Sequence, residues 1–175
     1  WVEQLVGSLR PGRAVDLGAG AGRHAIWLAR RGWDVTAVDF SHVGIARGQG
    51  LLAHAREESA VPGSVTWVVD DAVTWQPGEP ADLVLVAYLH LPQDALSRAA
   101  TWLAPGGSLV VVGHALRNLT EGVGGPSDPA LLQTPQRLLA VADAASLTVE
   151  VCREATRESD QGTSIDVMLV ARRTA

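Results

Sequence analysis

Lysine is missing from this sequence, and cysteine, methionine, tyrosine and phenylalanine occur once each. Without lysine the chain has no P-loop, which excludes nucleoside triphosphate hydrolysis by that route. The single cysteine, Cys152, permits neither an intramolecular disulfide nor a multi-cysteine zinc site, so no metal is expected. A chain that does without disulfides suits a reducing cytoplasm, which is the location we expect.

No apolar run approaches the roughly 20 residues that a membrane-spanning helix needs, so no membrane partner is expected. All 14 basic residues are arginine, and the formal net charge is -5. An acidic chain without a basic stripe binds nucleic acid poorly, so nucleic acid is not an expected partner either. The length of 175 residues predicts a single domain over residues 1–175.

Short apolar runs, typical of buried strands, alternate with helical patterns through most of the chain. The predicted strands cover residues 14–17, 35–38, 65–69, 82–87 and 109–112. The predicted helices cover residues 23–31, 41–58 and 92–103, with another beginning at Thr134. Such alternation predicts an α/β fold with a mostly parallel sheet and helices on both faces.

The end of the chain departs from this alternation. Residues 147–151 and 165–170 both have the pattern of strands, and the stretch between them, 153–164, is too short and too polar for a crossover helix. Parallel neighbours need a crossover of a dozen or more residues, usually helical. We therefore expect these two strands to pair as an antiparallel hairpin.

Three glycines, Gly18, Gly20 and Gly22, follow the first strand in the sequence Asp-Leu-Gly-Ala-Gly-Ala-Gly. Missing side chains let the backbone turn tightly and let a ligand approach the main chain. The spacing G-x-G-x-G differs from the G-x-G-x-x-G of dinucleotide-binding folds. Asp16, two residues before the first glycine, suits a cationic sulfonium and amino group better than a pyrophosphate.

Two further acids follow the second and third strands. Asp39 ends the second strand, where an acid can accept hydrogen bonds from both hydroxyls of a ribose. The alternative role for Asp39 is to stabilise the start of the next helix. Asp71 follows the third strand and, with the amide of Ala72, is placed to bind an adenine; the alternative is a turn aspartate.

Five motifs occur in the order in which class I S-adenosylmethionine-dependent methyltransferases carry them. They are DLGAGAG, VTAVDF, VVDDA, ADLVLVAYLHL and LAPGGSLVVVGH, and the match spans roughly residues 12–172. The chain resembles this family, and within it the small bacterial enzymes of the tellurite-resistance and thiopurine type. The resemblance implies S-adenosyl-L-methionine as cofactor and a Rossmann-like seven-stranded sheet in the order 3-2-1-4-5-7-6, with strand 7 antiparallel.

The resemblance also implies a contact for each part of the cofactor. The residues expected to bind it are Asp16, Gly18, Gly20 and Gly22 for the methionine part, Asp39 for the ribose, Asp71, Ala72 and Phe40 for the adenine, and the carbonyl of Ala87 for the amino group.

A short segment precedes the first strand, where related proteins usually carry a longer one that helps to cover the cofactor. Residues 2–9 form one amphipathic helical stretch, whose apolar face carries Val2, Leu5, Val6 and Leu9. We expect this helix to pack on the sheet or the first helix, and an N-terminal lid to be short or missing. If Trp1 is the true mature start, we expect the cover to come from the loop 113–133 or from a second copy of the chain in a homodimer.

Methyl transfer is an in-line displacement at an activated sulfonium, and a general base is needed only if the nucleophile arrives protonated. Candidates follow the fourth and fifth strands: Tyr88, His90 and His114. The histidines can instead serve to orient a loop. We also expect the long loop 113–133 to form the acceptor side of the pocket with its polar groups Arg117, Asn118 and Glu121.

The sequence also narrows the acceptor. No Asn-Pro-Pro-Tyr or Asp-Pro-Pro-Tyr follows the fourth strand, and Cys152 lies outside the expected site, so methylation of DNA bases is not expected. A small molecule is the expected acceptor. Two other functions stay open: a nicotinamide-dependent oxidoreductase, which would lack the terminal hairpin, and a non-catalytic S-adenosylmethionine-binding module, which would lack a formed acceptor pocket.

Overall fold

The structure is a computed structural model that describes residues 1–174. These residues contain seven strands and six α-helices. The strands are β1 (Arg13–Leu17), β2 (Asp34–Asp39), β3 (Ser64–Val69), β4 (Ala81–Ala87), β5 (Leu103–His114), β6 (Thr148–Ser159) and β7 (Gly162–Arg172). The helices are α1 (Val2–Val6), α2 (Arg23–Arg30), α3 (His42–Glu58), α4 (Gln93–Ala100), α5 (Asn118–Glu121) and α6 (Pro135–Ala144), with a 3₁₀ turn at Pro129–Leu131. Among the described helices, none combines the length and the apolar character needed to cross a membrane.

The seven strands form one sheet in the order β3-β2-β1-β4-β5-β7-β6. Strands β1 to β5 run parallel to one another, whereas β7 is antiparallel to both of its neighbours, β5 and β6. Both the strand order and the antiparallel hairpin at the end of the chain are confirmed. The carboxyl ends of β1 to β5 therefore meet at one edge, where sheets of this kind bind ligands.

The sheet buries apolar side chains on both faces, because successive residues of a strand point to opposite sides. In β4, Val84 and Val86 pack into one core, and Leu83 and Leu85 pack into the other. Helices α4 and α6 cover the first core, while α1 and α2 cover the second. Helices on both faces are what the strand-helix alternation predicts.

Strands β6 and β7 are longer than the sequence predicts. The polar stretch 153–164 is not a linker, because it continues both strands up to a turn at Asp160 and Gln161. Strand β6 lies at the edge of the sheet, where its side chains are exposed or half-buried, so polar residues fit a strand there. Strand β7 lies between β5 and β6 and is buried over most of its length.

Helix α1 packs on the sheet, as its amphipathic pattern predicts. It spans five residues, and Val2 and Val6 are buried in the same core as Val110 and Val112 of β5. The helix brings the preceding residue, Trp1, to the carboxyl edge of the sheet, where its indole N–H donates to Asp166. The start of the described chain thus forms part of the cleft at this edge.

Candidate active site

The three glycines after β1 have a left-handed backbone, with φ angles of 71°, 56° and 76° for Gly18, Gly20 and Gly22. A Cβ at Gly22 would lie 2.2 Å from the Trp67 ring, and a Cβ at Gly18 would lie 2.9 Å from the Leu89 side chain. A Cβ at Gly20 would meet no described atom within 4 Å. Packing as well as φ therefore requires Gly18 and Gly22, while Gly20 leaves its main chain open to a ligand.

Asp16 lies beneath this turn, near the end of β1, and is 1% exposed. Its Oδ2 is buried and has no hydrogen-bond partner among residues 1–174. Burial, and then the nearby Asp39 carboxylate, raise the pKa of Asp16 to about 7, against the opposing effects of the Ala25 amide and Arg23. An unpartnered buried carboxylate oxygen fits a cationic donor such as the amino group of an amino acid, which would favour the charged form.

Asp39 at the end of β2 joins the glycine turn to the start of α3. Its Oδ2 accepts from the Gly20 amide and its Oδ1 accepts from the Ser41 amide, each at 2.8 Å. Ser41 in turn caps α3 by accepting from the Gly44 amide. Since a carboxylate offers about four acceptor positions, Asp39 keeps room for two hydroxyl donors beside its role at the helix start.

The other residues predicted to contact the cofactor lie near the carboxyl ends of β2, β3 and β4, and most of them are less buried than Asp16 and Asp39. Asp71 is exposed, and its Oδ1 accepts from the Val73 amide at 2.8 Å, which is the geometry of a turn aspartate. Phe40 is 78% exposed, so its ring is free to stack on a planar ligand. Ala72 is half-buried, and Ala87 lies at the buried end of β4.

A buried carboxylate that sequence reasoning missed lies on β7. Asp166 is 0% exposed, and its Oδ2 accepts hydrogen bonds from Trp1 Nε1, the Tyr88 hydroxyl and Arg157 Nε, each at 2.9 Å. Its Oδ1 has no hydrogen bond among the described residues and lies 3.4 Å from His114 Nδ1. Four side chains from separate segments of the chain, those of Trp1, Tyr88, His114 and Arg157, thus converge on one carboxylate.

The sequence did contain a signal for Asp166. It is the one charged residue in the apolar run 165–170, and a charge inside a buried strand needs partners and often marks a functional site. Its partner Arg157 lies in the stretch that sequence reasoning treated as a linker. The register of β6 on β7 brings the two together, and no local pattern reports that register.

Tyr88 directly follows β4 and His114 ends the neighbouring strand β5, and their rings lie 5.3 Å apart between centroids. Burial and the Asp166 carboxylate raise the pKa of Tyr88 to about 12, so its phenol stays protonated at neutral pH. Burial lowers the pKa of His114, the Asp166 carboxylate acts in the opposite direction, and Arg157 and His90 lower the pKa further. His114 is therefore neutral at pH 7, as a base must be.

His90 also has a pKa lowered by burial, and its Nε2 is buried without a hydrogen-bond partner in the described part of the chain. Tyr88 directly follows β4, His90 lies two residues further on, and His114 ends β5, so the three predicted base candidates lie at the same end of the sheet.

A cavity of about 580 Å³, which we call the aromatic cavity, opens beside these groups. Its walls include Trp1, His24, Trp27, Tyr88, His114 and Arg157. Burial and the Arg23 guanidinium lower the pKa of His24 to about 4, so this imidazole is neutral and accepts from Arg23. Since α2 begins directly after the glycine turn, the cavity adjoins that turn.

The polar groups expected on the acceptor side of the loop 113–133 have other roles. Arg117 pairs with Glu121 and with Glu154 of β6, and it lines a different cavity. Asn118 is buried and satisfies the backbone of Ile165 and of the loop itself. These partners give the three polar groups a structural role, so their place on the acceptor side stays a prediction. Gly125 of the loop packs against the His114 ring.

Comparison with known proteins gives a family match. Residues 14–107, more than half of the chain, match the family model described as "Methyltransferase domain". The chain is 30% identical over 110 residues to the ribosomal RNA small subunit methyltransferase C of Alcanivorax borkumensis, covering 60% of this chain and 33% of that protein. It is 32% identical over 114 residues to the ubiquinone biosynthesis O-methyltransferase of Bordetella avium, covering 61% of this chain and 44% of that one.

The chain therefore spans between a third and a half of the length of these two curated relatives. Among solved structures, TehB from Haemophilus influenzae superposes with a TM-score of 0.76 at 18% identity, covering 99% of this chain and 61% of that one. At that identity the likeness concerns the fold, and it agrees with the strand order described above.

Proposed function

The chain belongs to the methyltransferase-domain family of S-adenosylmethionine-dependent enzymes, and we propose that its methyl acceptor is a small molecule bound in the aromatic cavity. The observation that carries this proposal is the cavity itself, which measures about 580 Å³ and adjoins the glycine turn. Aromatic side chains line it together with the polar groups Glu3, Gln4, Arg23 and Arg157. Small-molecule sites are typically concave, of about 300–1,000 Å³, with few well-placed polar groups.

S-adenosyl-L-methionine supplies, when bound, a methyl group on a positively charged sulfur. We propose that Asp16 and the turn glycines hold its methionine part, and the unpartnered Asp16 Oδ2 supports this assignment. Asp39 would accept the ribose hydroxyls at the acceptor positions that Gly20 and Ser41 leave free. The proposed adenine contacts are Asp71, Ala72 and Phe40, with the Ala87 carbonyl accepting from the cofactor's amino group.

The two other functions that the sequence left open receive less support. A nicotinamide-dependent oxidoreductase was expected to lack the terminal antiparallel hairpin, and β6 and β7 form that hairpin over eleven paired positions. A non-catalytic module was expected to lack a formed acceptor pocket, whereas the aromatic cavity lies beside two uncharged imidazoles, His24 and His114.

The relatives point to two kinds of acceptor, ribosomal RNA and a small molecule of ubiquinone biosynthesis. The net charge of -5 disfavours RNA, because an RNA site needs a surplus of basic groups for the phosphates. We therefore favour a small acceptor, and the assignment to the tellurite-resistance and thiopurine type remains a proposal within that class. Single-domain organisation, a short N-terminal cover and a homodimer also remain predictions.

A methyl-transfer screen tests the proposal. The chain is incubated with labelled S-adenosyl-L-methionine and with panels of phenols, thiols, amines, carboxylates and tellurite, and separately with ribosomal RNA. Label in a small molecule, with none in RNA, is the expected result. Transfer to RNA alone would contradict the proposal, and Trp27→Ala, which opens one wall of the aromatic cavity, should reduce transfer to any small acceptor.

A further inference from the structure

Two complementary polar atoms face each other unpaired inside the cleft. His114 Nδ1 and Asp166 Oδ1 are both buried, neither makes a hydrogen bond among the described residues, and they lie 3.4 Å apart. Leaving such a pair unmade is costly, because each buried group loses its water without gaining a partner. A small side-chain rotation would form an Nδ1–H to Oδ1 hydrogen bond and satisfy both atoms.

The sheet itself holds the two residues together. His114 on β5 and Asp166 on β7 are directly paired in the antiparallel register, so their side chains project from the same face. The His114 ring is packed between Tyr88, whose ring centroid is 5.3 Å away, and the backbone of Gly125. A Cβ at Gly125 would lie 2.9 Å from the His114 ring, so glycine permits this contact.

The orientation of the ring follows from these contacts. Nδ1 is buried towards Asp166, while the ring as a whole lines the aromatic cavity. The opposite edge of the imidazole, which carries Nε2, is therefore the edge that reaches the cavity. In a neutral imidazole the nitrogen that does not carry the proton is an acceptor, so a proton fixed on Nδ1 leaves Nε2 free to act as a base.

We propose that Asp166 is a positioning residue, which fixes the proton of His114 on Nδ1 so that Nε2 takes the proton of the acceptor's nucleophile. The inference rests on the proposed function and adds the acceptor class: a neutral heteroatom that bears a proton, such as a hydroxyl. The bond from that heteroatom to the methyl carbon forms as the sulfur–carbon bond breaks. The bonding electron pair stays on sulfur, and the heteroatom's proton passes to Nε2 and then to water.

The two carboxylate oxygens of Asp166 have different partners. Trp1, Tyr88 and Arg157 all donate to Oδ2, which leaves Oδ1 for His114. The Arg157 guanidinium also balances the buried negative charge, which would otherwise be costly. Tyr88 is less suited to be the base, because its proton is engaged with Asp166 and its pKa is raised to about 12.

The first test reads the position of the proton on His114 in the full chain by ¹⁵N NMR of histidine-labelled protein, without acceptor. His114→Gln assigns the signals. In the wild type at neutral pH we expect the proton on Nδ1. In Asp166→Asn the three donors require the amide oxygen, so the amide NH₂ faces Nδ1 and donates to it, which moves the proton to Nε2.

Tyr88→Phe is the matched control, because it removes one donor to Asp166 and keeps the carboxylate. We expect the same tautomer in this variant as in the wild type. A proton on Nε2 in the wild type would overturn the inference. The same tautomer in Asp166→Asn as in the wild type would overturn it as well.

A pH titration of the same signals provides a second measure. The charged and titratable groups that face His114 are Asp166 of β7, Arg157 of β6, and Tyr88 and His90 after β4. Removing the Asp166 charge should lower the pKa of His114, since a carboxylate favours the imidazolium; an unchanged pKa would contradict the inference.

The tautomer result and the methyl-transfer screen can fail separately. A chain that has the expected tautomer and methylates no small molecule contradicts the proposed function. A chain that methylates a small molecule while His114 carries its proton on Nε2 contradicts the role of Asp166.

Discussion

The proposed cofactor side and the acceptor side of the cleft differ in how far apart along the chain their residues lie. The hydrogen bond from the Gly20 amide to Asp39 joins residues 19 apart, and Asp16 lies near the end of the strand that leads into the glycine turn. On the acceptor side, Asp166 binds Trp1 and Tyr88, which are 165 and 78 residues away. The residues of the cofactor side therefore form a local sequence motif, whereas those of the acceptor side come together only when the sheet has formed.

The two sides also differ in whether the main chain or the side chains form the site. Around Gly18, Gly20 and Gly22 the main chain and its conformation are decisive, and side chains matter mostly by being absent. Around Asp166 the side chains and their protonation states are decisive. Damage to the first side should therefore appear in binding, and damage to the second side should appear in turnover.

The largest expected effect is on turnover, from His114→Gln. General bases contribute roughly 10²- to 10⁴-fold, so kcat for an acceptor found in the screen should fall by about that factor. The affinity for S-adenosylhomocysteine, measured by calorimetry, should stay within about twofold, because His114 lies on the acceptor side. The matched control is His54→Gln, an exposed histidine on α3 near Glu57 and Glu58. A variant that keeps full kcat would remove His114 from the chemistry.

The next effect is on binding, from Asp39→Ala. Hydrogen bonds to charged groups contribute about 1.5–3 kcal/mol, so S-adenosylhomocysteine affinity should fall at least about tenfold. Asp34→Ala is the control, since Asp34 lies on the same strand at its exposed end and binds Ser64. Unchanged affinity in a variant that unfolds at its normal temperature would show that Asp39 only joins the turn to α3.

The same contrast explains how much the sequence predicts. Spacing within about 25 residues was enough for Asp16, the glycines and Asp39 to be placed together, because one strand-turn-helix unit fixes their geometry. The strand order was implied by the family resemblance that the ordered motifs carry, and the antiparallel hairpin was predicted from the short polar stretch near the chain end. Asp166 and Arg157 could not be placed, since their meeting depends on the register of an edge hairpin whose polar residues look like a loop.

The third expected effect is on stability, and it comes from the buried carboxyl group of Asp16. The pKa of Asp16 is raised from 3.8 to about 7 by burial, so between these pH values the folded chain holds a proton that the unfolded chain has released. The contribution of Asp16 to the free energy of unfolding must then decrease as pH rises through this window. Urea unfolding of the ligand-free wild type and of Asp16→Asn should show a difference that changes with pH. A constant difference would mean that the pKa of Asp16 in the folded chain lies below this window.

The smallest expected effect comes from Asp71→Ala, and it marks the limit of motif-based prediction on the cofactor side. Asp71 is exposed, and its Oδ1 already accepts from the Val73 amide. One exposed hydrogen bond to an adenine amino group contributes about 0.5–1 kcal/mol, so S-adenosylhomocysteine affinity should fall by about threefold. Asp70→Ala is the control, because the Asp70 carboxylate accepts from the neighbouring Asp71 amide.

Calorimetry with S-adenosylhomocysteine and with S-inosylhomocysteine, which lacks the amino group, distinguishes recognition of the adenine from shaping of the turn. A loss confined to the adenine compound indicates recognition of the amino group, whereas an equal loss for both compounds indicates that Asp71 acts by shaping the turn.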